Sequence, residues 1–496
     1  MSTEKDHIFE IEELRLSSRG GIVRLPELVG VPFTSRVKAV VDHPHFQRLR
    51  KVRQLSLTYL VFPGATHTRF EHSLGVFENT TRYLVALLTD PRQDYLRKNT
   101  SRSEIDSLLL ASLLHDIGHY PFAHLLEDLY GQIADHEELV EPLLTGAAVE
   151  MFDSLKRDHR NGSLAETIKK HWGLDDIRDI CFFISGKGGE HYSDDELKHK
   201  KLLRSILSGP VDTDKMDYLY RDSIHCGVPY GRFIDRDRFF QALTIDSERG
   251  DSIAVTEKGR IVIELFAYAR SAMFSEVYWH HSARSITSML NRAIAEATNG
   301  RGGILAEEIL SQVFARSDEE AVDWLYDNGT EATRSILGLL RQRRLYKRLL
   351  VLESQNNPRL HQMLDRIKWD QEHSFEDFMD SFSEAVIKDG SLSRACGKEI
   401  GPLDLLMDVP IKKTGLGDLP IIPEHSKRYS KSSDASQVLA GIGSDFERWV
   451  RKIRLFMHPE LQESLKRNTS SKLPDEQLQR HLVKLLEDCA ARFIEK

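Results

Sequence analysis

An apolar helical pattern that ends in an adjacent histidine and aspartate is the feature that most constrains this chain. Ile105, Leu108, Leu109 and Leu113 fall on one helical face, and His115-Asp116 follows directly, before Gly118 ends the pattern. A carboxylate beside such a core needs a partner, because burying an unpaired charge is very costly. A single His-Asp pair arises by chance in most proteins, so it indicates a metal site only when other ligands accompany it.

Two other predicted helices supply such ligands. His72 lies in an amphipathic pattern from Arg69 to Leu88, and Asp214 lies near the start of a second pattern, Thr213 to Arg221. Two imidazoles and two carboxylates form a set suited to one divalent ion, with Mn, Mg, Fe, Co and Zn left open. The proposed metal ligands are His72, His115, Asp116 and Asp214.

Charge and composition exclude several other classes of protein. The chain has 68 Lys and Arg against 76 Asp and Glu, a net charge of −8, which argues against a general nucleic-acid binder. Its apolar runs are too short to span a bilayer, and its first 14 residues are not a secretory signal. The four Cys are scattered, which favours a reducing compartment, and we predict a cytoplasmic protein.

Nucleotide-binding and hydrolase motifs of other folds are absent from the sequence. It contains no GxxxxGK[ST], no GxGxxG after a strand and no GxSxG. A P-loop, a Rossmann fold and an α/β-hydrolase nucleophile are therefore excluded.

The periodicity predicts a mainly α fold with a few short strands. The strand-like stretches are Gly21–Leu25, a hairpin of Ser252–Val255 with Gly259–Glu264, and Trp449–Met457. Ser103 with its following residues resembles a helix capping box. The Gly-rich break before residue 304 predicts a domain of residues 1–300 that carries the chemistry and a mainly helical region of residues 301–496.

Four long phrases now identify a family resemblance. They are His43–Leu55, Val61–Gly75, His115–His124 and Asp212–Asp222, in that order. The chain resembles the deoxynucleoside triphosphate (dNTP) triphosphohydrolases of the HD-domain superfamily of metal-dependent phosphohydrolases, the type found in the vertebrate sterile-alpha-motif/HD enzyme and its bacterial relatives. The resemblance is good over about residues 40–290 and implies an HD-domain helical core.

The family's functional residues can be carried over position by position. The resemblance places its metal ligands on the four residues proposed above, and its catalytic residues on His119, His124, Glu127 and His136. It places substrate contacts on Gln54, Leu55, Arg69, Lys215, Tyr218, Asp222, Arg270 and Tyr278. Candidate effector contacts fall on Asp42, Gln47, Arg50, Val61, Arg236, His280, Arg343 and Lys347.

The resemblance implies hydrolysis of a dNTP to a deoxynucleoside and inorganic triphosphate. Water would attack the α-phosphorus, and His124 would protonate the leaving 5′-oxygen. It also implies a homo-oligomer, dimer or tetramer, that is activated by nucleotides. The segment Leu16–Val23 departs from the family's pattern, and this departure puts a guanine-nucleotide effector site in doubt.

Two other functions remain open at this point. One is an HD phosphohydrolase for another phosphate ester, such as a nucleoside monophosphate, an alarmone or single-stranded nucleic acid. The other is a nucleotide-sensing module without turnover, which the complete set of ligands and histidines disfavours.

Overall fold

The computed structural model describes most of the chain. The described residues are 10–15, 21–26, 30–123, 125–126, 135–156, 162–246, 252–299, 304–369, 375–412, 419–423, 430–431, 434, 436–469, 471 and 473–495. Backbone packing divides the chain into two compact units. The first unit comprises Met1–Met273, Leu310–Glu320 and Gly415–Ile442, and the second comprises Phe274–Ile309, Ala321–Thr414 and Gly443–Lys496. These units interleave along the chain, so the predicted division at residue 300 stays a prediction.

The first unit is mainly helical, as predicted. Its α-helices are Ser35–Val41, Pro44–Gln47, Arg69–Leu88, Tyr95–Asn99, Arg102–Leu114, Val140–Thr145, Ala148–Met151, Leu164–Trp172, Arg178–Ser185, Asp194–Leu207, Thr213–Cys226, Arg236–Ala242 and Arg260–Met273. The helix Arg69–Leu88 contacts both Arg102–Leu114 and Thr213–Cys226. These three helices carry or directly precede the proposed metal ligands.

Local sequence sets the ends of these three helices. The Ser101 hydroxyl accepts from the backbone N–H of Glu104, and the Glu104 carboxylate accepts from the backbone N–H of Ser101. The predicted cap at Ser103 was therefore wrong by two residues, because Ser103 already lies inside the helix. Asp212 caps the helix Thr213–Cys226 by accepting from the backbone N–H of Lys215.

Short strands form two small sheets in the first unit. Gly21–Val23 pairs with Val31–Phe33 in antiparallel fashion. A second sheet has the strand order Leu243–Ile245, Ile253–Thr256, Pro420–Ile422 and Ser430–Lys431. The predicted hairpin was wrong, because residues 260–264 begin the helix Arg260–Met273 and Ile253–Thr256 pairs instead with the preceding strand, Leu243–Ile245.

The second unit combines helices with a three-stranded antiparallel sheet. The central strand of this sheet is Lys452–Met457, and its neighbours are Lys347–Glu353 and Leu405–Asp408. The α-helices are His281–Asn299, Glu331–Arg341, Pro358–Lys368, Phe375–Asp389, Ser391–Cys396, Pro459–Thr469 and Glu476–Ile494. The predicted strand Trp449–Met457 starts later than expected, because Phe446–Val450 forms a π-helical turn.

Three further helices have residues in both units, namely Ala306–Val313, Asp318–Asn328 and Gln437–Asp445. Among the described residues, no helix combines the length and the apolar character needed to cross a membrane. All four cysteines are described, and each is a free thiol.

Candidate active site

Three of the four proposed metal ligands converge in the first unit. The His72 Nε2 atom lies 3.0 Å from Asp214 Oδ1 and 3.3 Å from His115 Nε2. His115 Nε2 lies 3.9 Å from the same Asp214 oxygen. All three ligand atoms lie within 4.8 Å of one another.

The outer nitrogen of each imidazole already has a hydrogen-bond partner. His115 Nδ1 lies 2.9 Å from the carbonyl oxygen of Ser112, and His72 Nδ1 lies 2.8 Å from Asp217 Oδ2. Both partners are acceptors, so each Nδ1 donates and each Nε2 is the ring atom left for a metal ion. The two Nε2 atoms lie 3.3 Å apart, close enough to share a single cation. The donor set therefore fits a divalent ion.

The electrostatics of the site also favour a positive charge at this point. Burial lowers the pKa of His72, but the carboxylates of Asp214 and Asp217 outweigh burial and raise that pKa to about 10. A proton and a metal ion would thus compete for the same Nε2 atom.

Asp116 lies beside this group and connects it to two further residues. Its Oδ1 lies 3.5 Å from His115 Nε2 and 3.2 Å from His119 Nε2. Its Oδ2 lies 3.7 Å from His72 Nε2 and accepts a 2.7 Å hydrogen bond from Arg69 Nη1. Burial raises the pKa of Asp116, but Arg69, His115 and His119 outweigh it and hold that pKa well below its usual range.

Two predicted catalytic histidines are stacked next to Asp116. The His119 and His136 rings are 3.7 Å apart and nearly parallel, at 15°. Burial and the nearby Arg69 charge hold the pKa of His119 well below its usual range, so its imidazole is neutral. Asp116, His119 and His136 also offer three ligand atoms within 4.8 Å. The other two predicted catalytic residues, His124 and Glu127, lie outside the described residues.

A buried ionic network orients His72 from behind. Asp217 accepts from His72 and binds the Arg221 guanidinium through both carboxylate oxygens, at 2.8 Å and 2.7 Å. Arg221 donates a third hydrogen bond, of 2.6 Å, to Glu71. Only glycine fits at Gly75, because a Cβ atom there would lie 1.9 Å from Asp217 Oδ1. Carboxylates placed in this way fix the ring orientation and tautomer of a metal-binding histidine.

Two of the predicted substrate contacts, Gln54 and Asp222, both contact His67. Asp222 Oδ1 lies 2.7 Å from His67 Nε2, and the His67 ring stacks on His225 at 4.2 Å. The backbone N–H of Gln54 donates to the carbonyl of His67. The Gln54 side-chain oxygen is buried and has no hydrogen-bond partner among the described residues, so it can accept from a ligand.

The other predicted substrate contacts of the first unit include two cations and a tyrosine, namely Lys215, Arg270 and Tyr218. Lys215 Nζ donates to the Gly209 carbonyl at 3.0 Å and to Asp212 at 2.5 Å. Burial raises the pKa of Tyr218 to about 12, and Arg270 is buried. Leu55 is half-buried in this unit, whereas Tyr278 belongs to the second unit, where its ring packs on Phe274.

The candidate effector residues divide between the units. Gln47 accepts from Arg50 Nε at 2.8 Å, and the Arg50 guanidinium lies 3.5 Å above the Phe70 ring. Asp42 pairs with Lys38. The first unit also contains Val61 and Arg236, and the second contains His280, Arg343 and Lys347. The effector assignments stay predictions.

Sequence reasoning missed the supporting residues of the site. Asp217, Arg221, His67 and Glu71 all lie inside the phrases that carry the family resemblance. Asp217 contacts His72 through the Nδ1 atom, on the side of the ring opposite to the Nε2 atom that faces Asp214. The signal was the third aspartate of Asp212-Thr-Asp-Lys-Met-Asp217, a buried charge that needs a partner.

Comparison with family models gives two matches. A model of the HD domain matches residues 69–219, and a model described as an HD associated region matches residues 234–387. The first match contains all four proposed metal ligands. The prediction of an HD-type helical core is confirmed.

Individual relatives agree with this result. An uncharacterised protein of Methanocaldococcus jannaschii is 34% identical over 259 residues, which are 51% of this chain and 45% of that protein. The deoxynucleoside triphosphate triphosphohydrolase SAMHD1 of Bos taurus is 28% identical over 438 residues, 82% of this chain and 69% of that enzyme. The chain spans about half the length of the curated relatives that match it at 31–34% identity. A solved structure of a hypothetical protein from Aquifex aeolicus superposes with a TM-score of 0.61 at 25% identity, covering 90% of this chain and 99% of that one.

Proposed function

This chain carries an HD domain, the domain of a superfamily of metal-dependent phosphohydrolases, and we propose that it hydrolyses dNTPs to a deoxynucleoside and inorganic triphosphate. The observation that carries the proposal is the convergence of two imidazole nitrogens and a carboxylate, with Asp116 and Arg69 alongside. The similarity to SAMHD1 supports the choice of substrate.

His72, His115, Asp116 and Asp214 would hold the divalent ion, which acts as a Lewis acid on the phosphate oxygens. The chain's own cations would neutralise the rest of the triphosphate. Arg69 Nε is buried and has no hydrogen-bond partner among the described residues, so it can donate to a phosphate oxygen. Lys215 and Arg270 add positive charge in the same unit.

The leaving group and the sugar require two more functions. The 5′-oxygen leaves as an alcohol once it gains a proton, which we assign to His124, the position that the family resemblance gives to a catalytic histidine. Gln54 and Asp222 would hold the 3′-hydroxyl, since Gln54 offers an unpartnered acceptor and His67 fixes Asp222 at 2.7 Å. Balance is kept because one water adds to the α-phosphorus and one P–O bond to the 5′-oxygen breaks.

The test is turnover of the four dNTPs and four NTPs with Mn, Mg, Fe and Co, with products separated by ion-exchange chromatography. We expect deoxynucleoside and inorganic triphosphate from the wild type. Asp214→Ala should lower kcat at least a thousandfold, because it removes a carboxylate from the ligand set. Asp195→Ala, at an exposed aspartate of the same unit, serves as the matched control and should leave activity unchanged.

Each of the other possible results would indicate a different function. Full activity of Asp214→Ala would overturn the metal assignment. Release of orthophosphate, pyrophosphate or shortened strands would overturn the dNTP substrate in favour of another phosphate ester. Tight dNTP binding without turnover under every metal would indicate a sensing module. The proposed oligomer, nucleotide activation and cytoplasmic location are tested separately, by sedimentation, by titration with GTP and dNTPs, and by cell fractionation.

A further inference from the structure

Asp318 is a buried carboxylate without a cationic partner among the described side chains. It is the first residue of the helix Asp318–Asn328, and none of its surface is exposed. Its Oδ1 accepts a 2.9 Å hydrogen bond from the backbone N–H of Phe122. Its Oδ2 accepts another 2.9 Å bond from the backbone N–H of Arg53. The Arg53 guanidinium binds the next residue, Glu319, at 2.9 Å and 2.7 Å.

The first of these N–H groups belongs to a strained turn. Phe122 and Ala123 have φ values of 68° and 56°, in the left-handed region that side chains disfavour. Such a backbone persists only where surrounding contacts hold it. The turn follows His119 and comes directly before His124 in the sequence. A carboxylate that accepts from Phe122 N–H is therefore well placed to hold this turn.

A second buried residue holds the same loop from its carbonyl side. Arg48 Nη1 donates to the carbonyls of His119 and Phe314, each at 2.8 Å, and its Nη2 donates to Ile117 at 2.6 Å. The guanidinium also lies 4.0 Å above the Phe314 ring. The segment Phe314–Asp318 thus meets the 117–122 loop twice, through Arg48 and through Asp318.

The second N–H group belongs to the segment that carries proposed substrate contacts. Arg53 forms an isolated antiparallel bridge with Thr68. Gln54 N–H donates to the His67 carbonyl, and Arg69 N–H donates to the Val52 carbonyl. Fixing the backbone at Arg53 therefore fixes Gln54 and the start of the helix at Arg69.

We infer that Asp318, a residue of the HD associated region, is a positioning residue that locks the turn before His124 to the segment before Gln54. The inference rests on the proposed function, since it assigns the lock to that reaction. The described hydrogen bonds of the Asp318 carboxylate go to backbone N–H groups and not to a proposed metal ligand. Asp318 acts through the two backbone hydrogen bonds that its two carboxylate oxygens accept, one on each oxygen.

The test compares Asp318→Asn with Glu319→Gln. An asparagine side chain of the same size can accept only one of the two N–H groups, and its amide N–H₂ faces the other. We expect kcat for dNTP hydrolysis to fall about 10- to 100-fold, since small misplacement of catalytic groups has this effect, with KM changed less than threefold. Glu319→Gln removes the neighbouring charge and keeps both backbone bonds, so it should retain kcat within threefold.

Amide hydrogen exchange supplies a measurement that does not depend on turnover. Peptides covering residues 50–55 and 117–126 should exchange at least tenfold faster in Asp318→Asn, and the helix Glu331–Arg341 should exchange as in the wild type. Unchanged exchange, unchanged kcat, or an equal loss in Glu319→Gln would overturn the inference. A wild type that turns over no dNTP refutes the proposed function instead, while the exchange result still decides the lock.

If Asp318→Asn does not fold, the wild type alone decides. The Phe122 amide lies in a turn and the Arg53 amide in an isolated bridge, yet the two hydrogen bonds to Asp318 should make both exchange at least a hundredfold more slowly than exposed turn amides. Exchange at the rate of exposed turns would overturn the inference.

Discussion

The substitution Asp217→Asn tests whether Asp217 orients the His72 ring for metal binding, because it leaves His72 itself in place. In the wild type, Asp217 accepts from His72 Nδ1 and from two nitrogens of Arg221. Asp217 and Arg221 are each 2% exposed. Asp217→Asn keeps the size of the side chain. It removes the negative charge that favours the Nδ1–H tautomer, and its amide N–H₂ cannot accept from Arg221.

The substitution should weaken metal binding and lower the stability of the fold. Loss of a carboxylate behind a metal-binding histidine costs about 10- to 100-fold in metal affinity, or about 1.4 to 2.8 kcal/mol. Breaking a buried ion pair costs about 3 to 5 kcal/mol of unfolding free energy. Arg221 keeps its 2.6 Å bond to Glu71. We therefore expect a loss near the lower end, about 3 kcal/mol.

The assay measures Mn²⁺ affinity by chelator competition and the unfolding free energy by urea titration. Asp106→Asn is the matched control, since Asp106 is a buried carboxylate on the Arg36 guanidinium, which also binds Glu13. That control should lose stability and keep Mn²⁺ affinity. A Mn²⁺ dissociation constant for Asp217→Asn within twofold of wild type would refute the orienting role, as would equal weakening by Asp106→Asn.

Three further predictions concern packing, metal removal and pH. Gly75→Ala should lower the unfolding free energy by about 1 to 3 kcal/mol and weaken Mn²⁺ binding, because the new Cβ atom would lie 1.9 Å from Asp217 Oδ1. Gly338→Ala is the control: its Cβ atom would meet nothing nearer than 3.9 Å, so it should be neutral or stabilising in the same urea titration. Removing metal with a chelator should lower the melting temperature of the wild type, and Mn²⁺ should restore it, because a ligand that binds only the native state stabilises it; a melting temperature unaffected by either would contradict the site. Burial raises the pKa of Asp318 from 3.8 to about 6, although the N–H groups of Arg53 and Phe122 oppose this, so the native state holds a proton that the unfolded chain has released. The protonated Asp318 therefore stabilises the native state below about pH 4, and this stabilisation, about 3 kcal/mol, is lost as the pH rises through about 6. The unfolding free energy of the wild type, relative to that of Asp318→Asn, should fall by this amount between about pH 4 and 7.

Local patterns predicted the elements that carry the proposed ligands. The period of apolar residues predicted the helix Arg69–Leu88 to its exact ends, and the helix predicted from Thr213 to Arg221 begins as expected and extends to Cys226. Local patterns failed where tertiary pairing decides. Residues 259–264 have strand-like composition, but the strand Ile253–Thr256 already pairs on one side with Leu243–Ile245 and on the other with Pro420–Ile422. The chain after Gly259 is therefore left to form a helix.

The supporting carboxylates could not be found from spacing, because their partners are distant in sequence. Asp217 lies 145 residues from His72, and Asp318 lies 196 residues from Phe122. Asp217 binds the ring of the proposed metal ligand His72, and Asp318 binds the backbone of the turn before His124. Neither aspartate is itself a proposed ligand of the metal or the substrate. A pattern search finds ligands because metal chemistry restricts them to a few residue types, whereas a second layer is restricted only by geometry. The rule that does find such residues is energetic: a buried aspartate must have a partner, and Asp217 and Asp318 are both buried. The partners of these two aspartates are His72 and the turn before His124, so each buried aspartate marks a part of the proposed site.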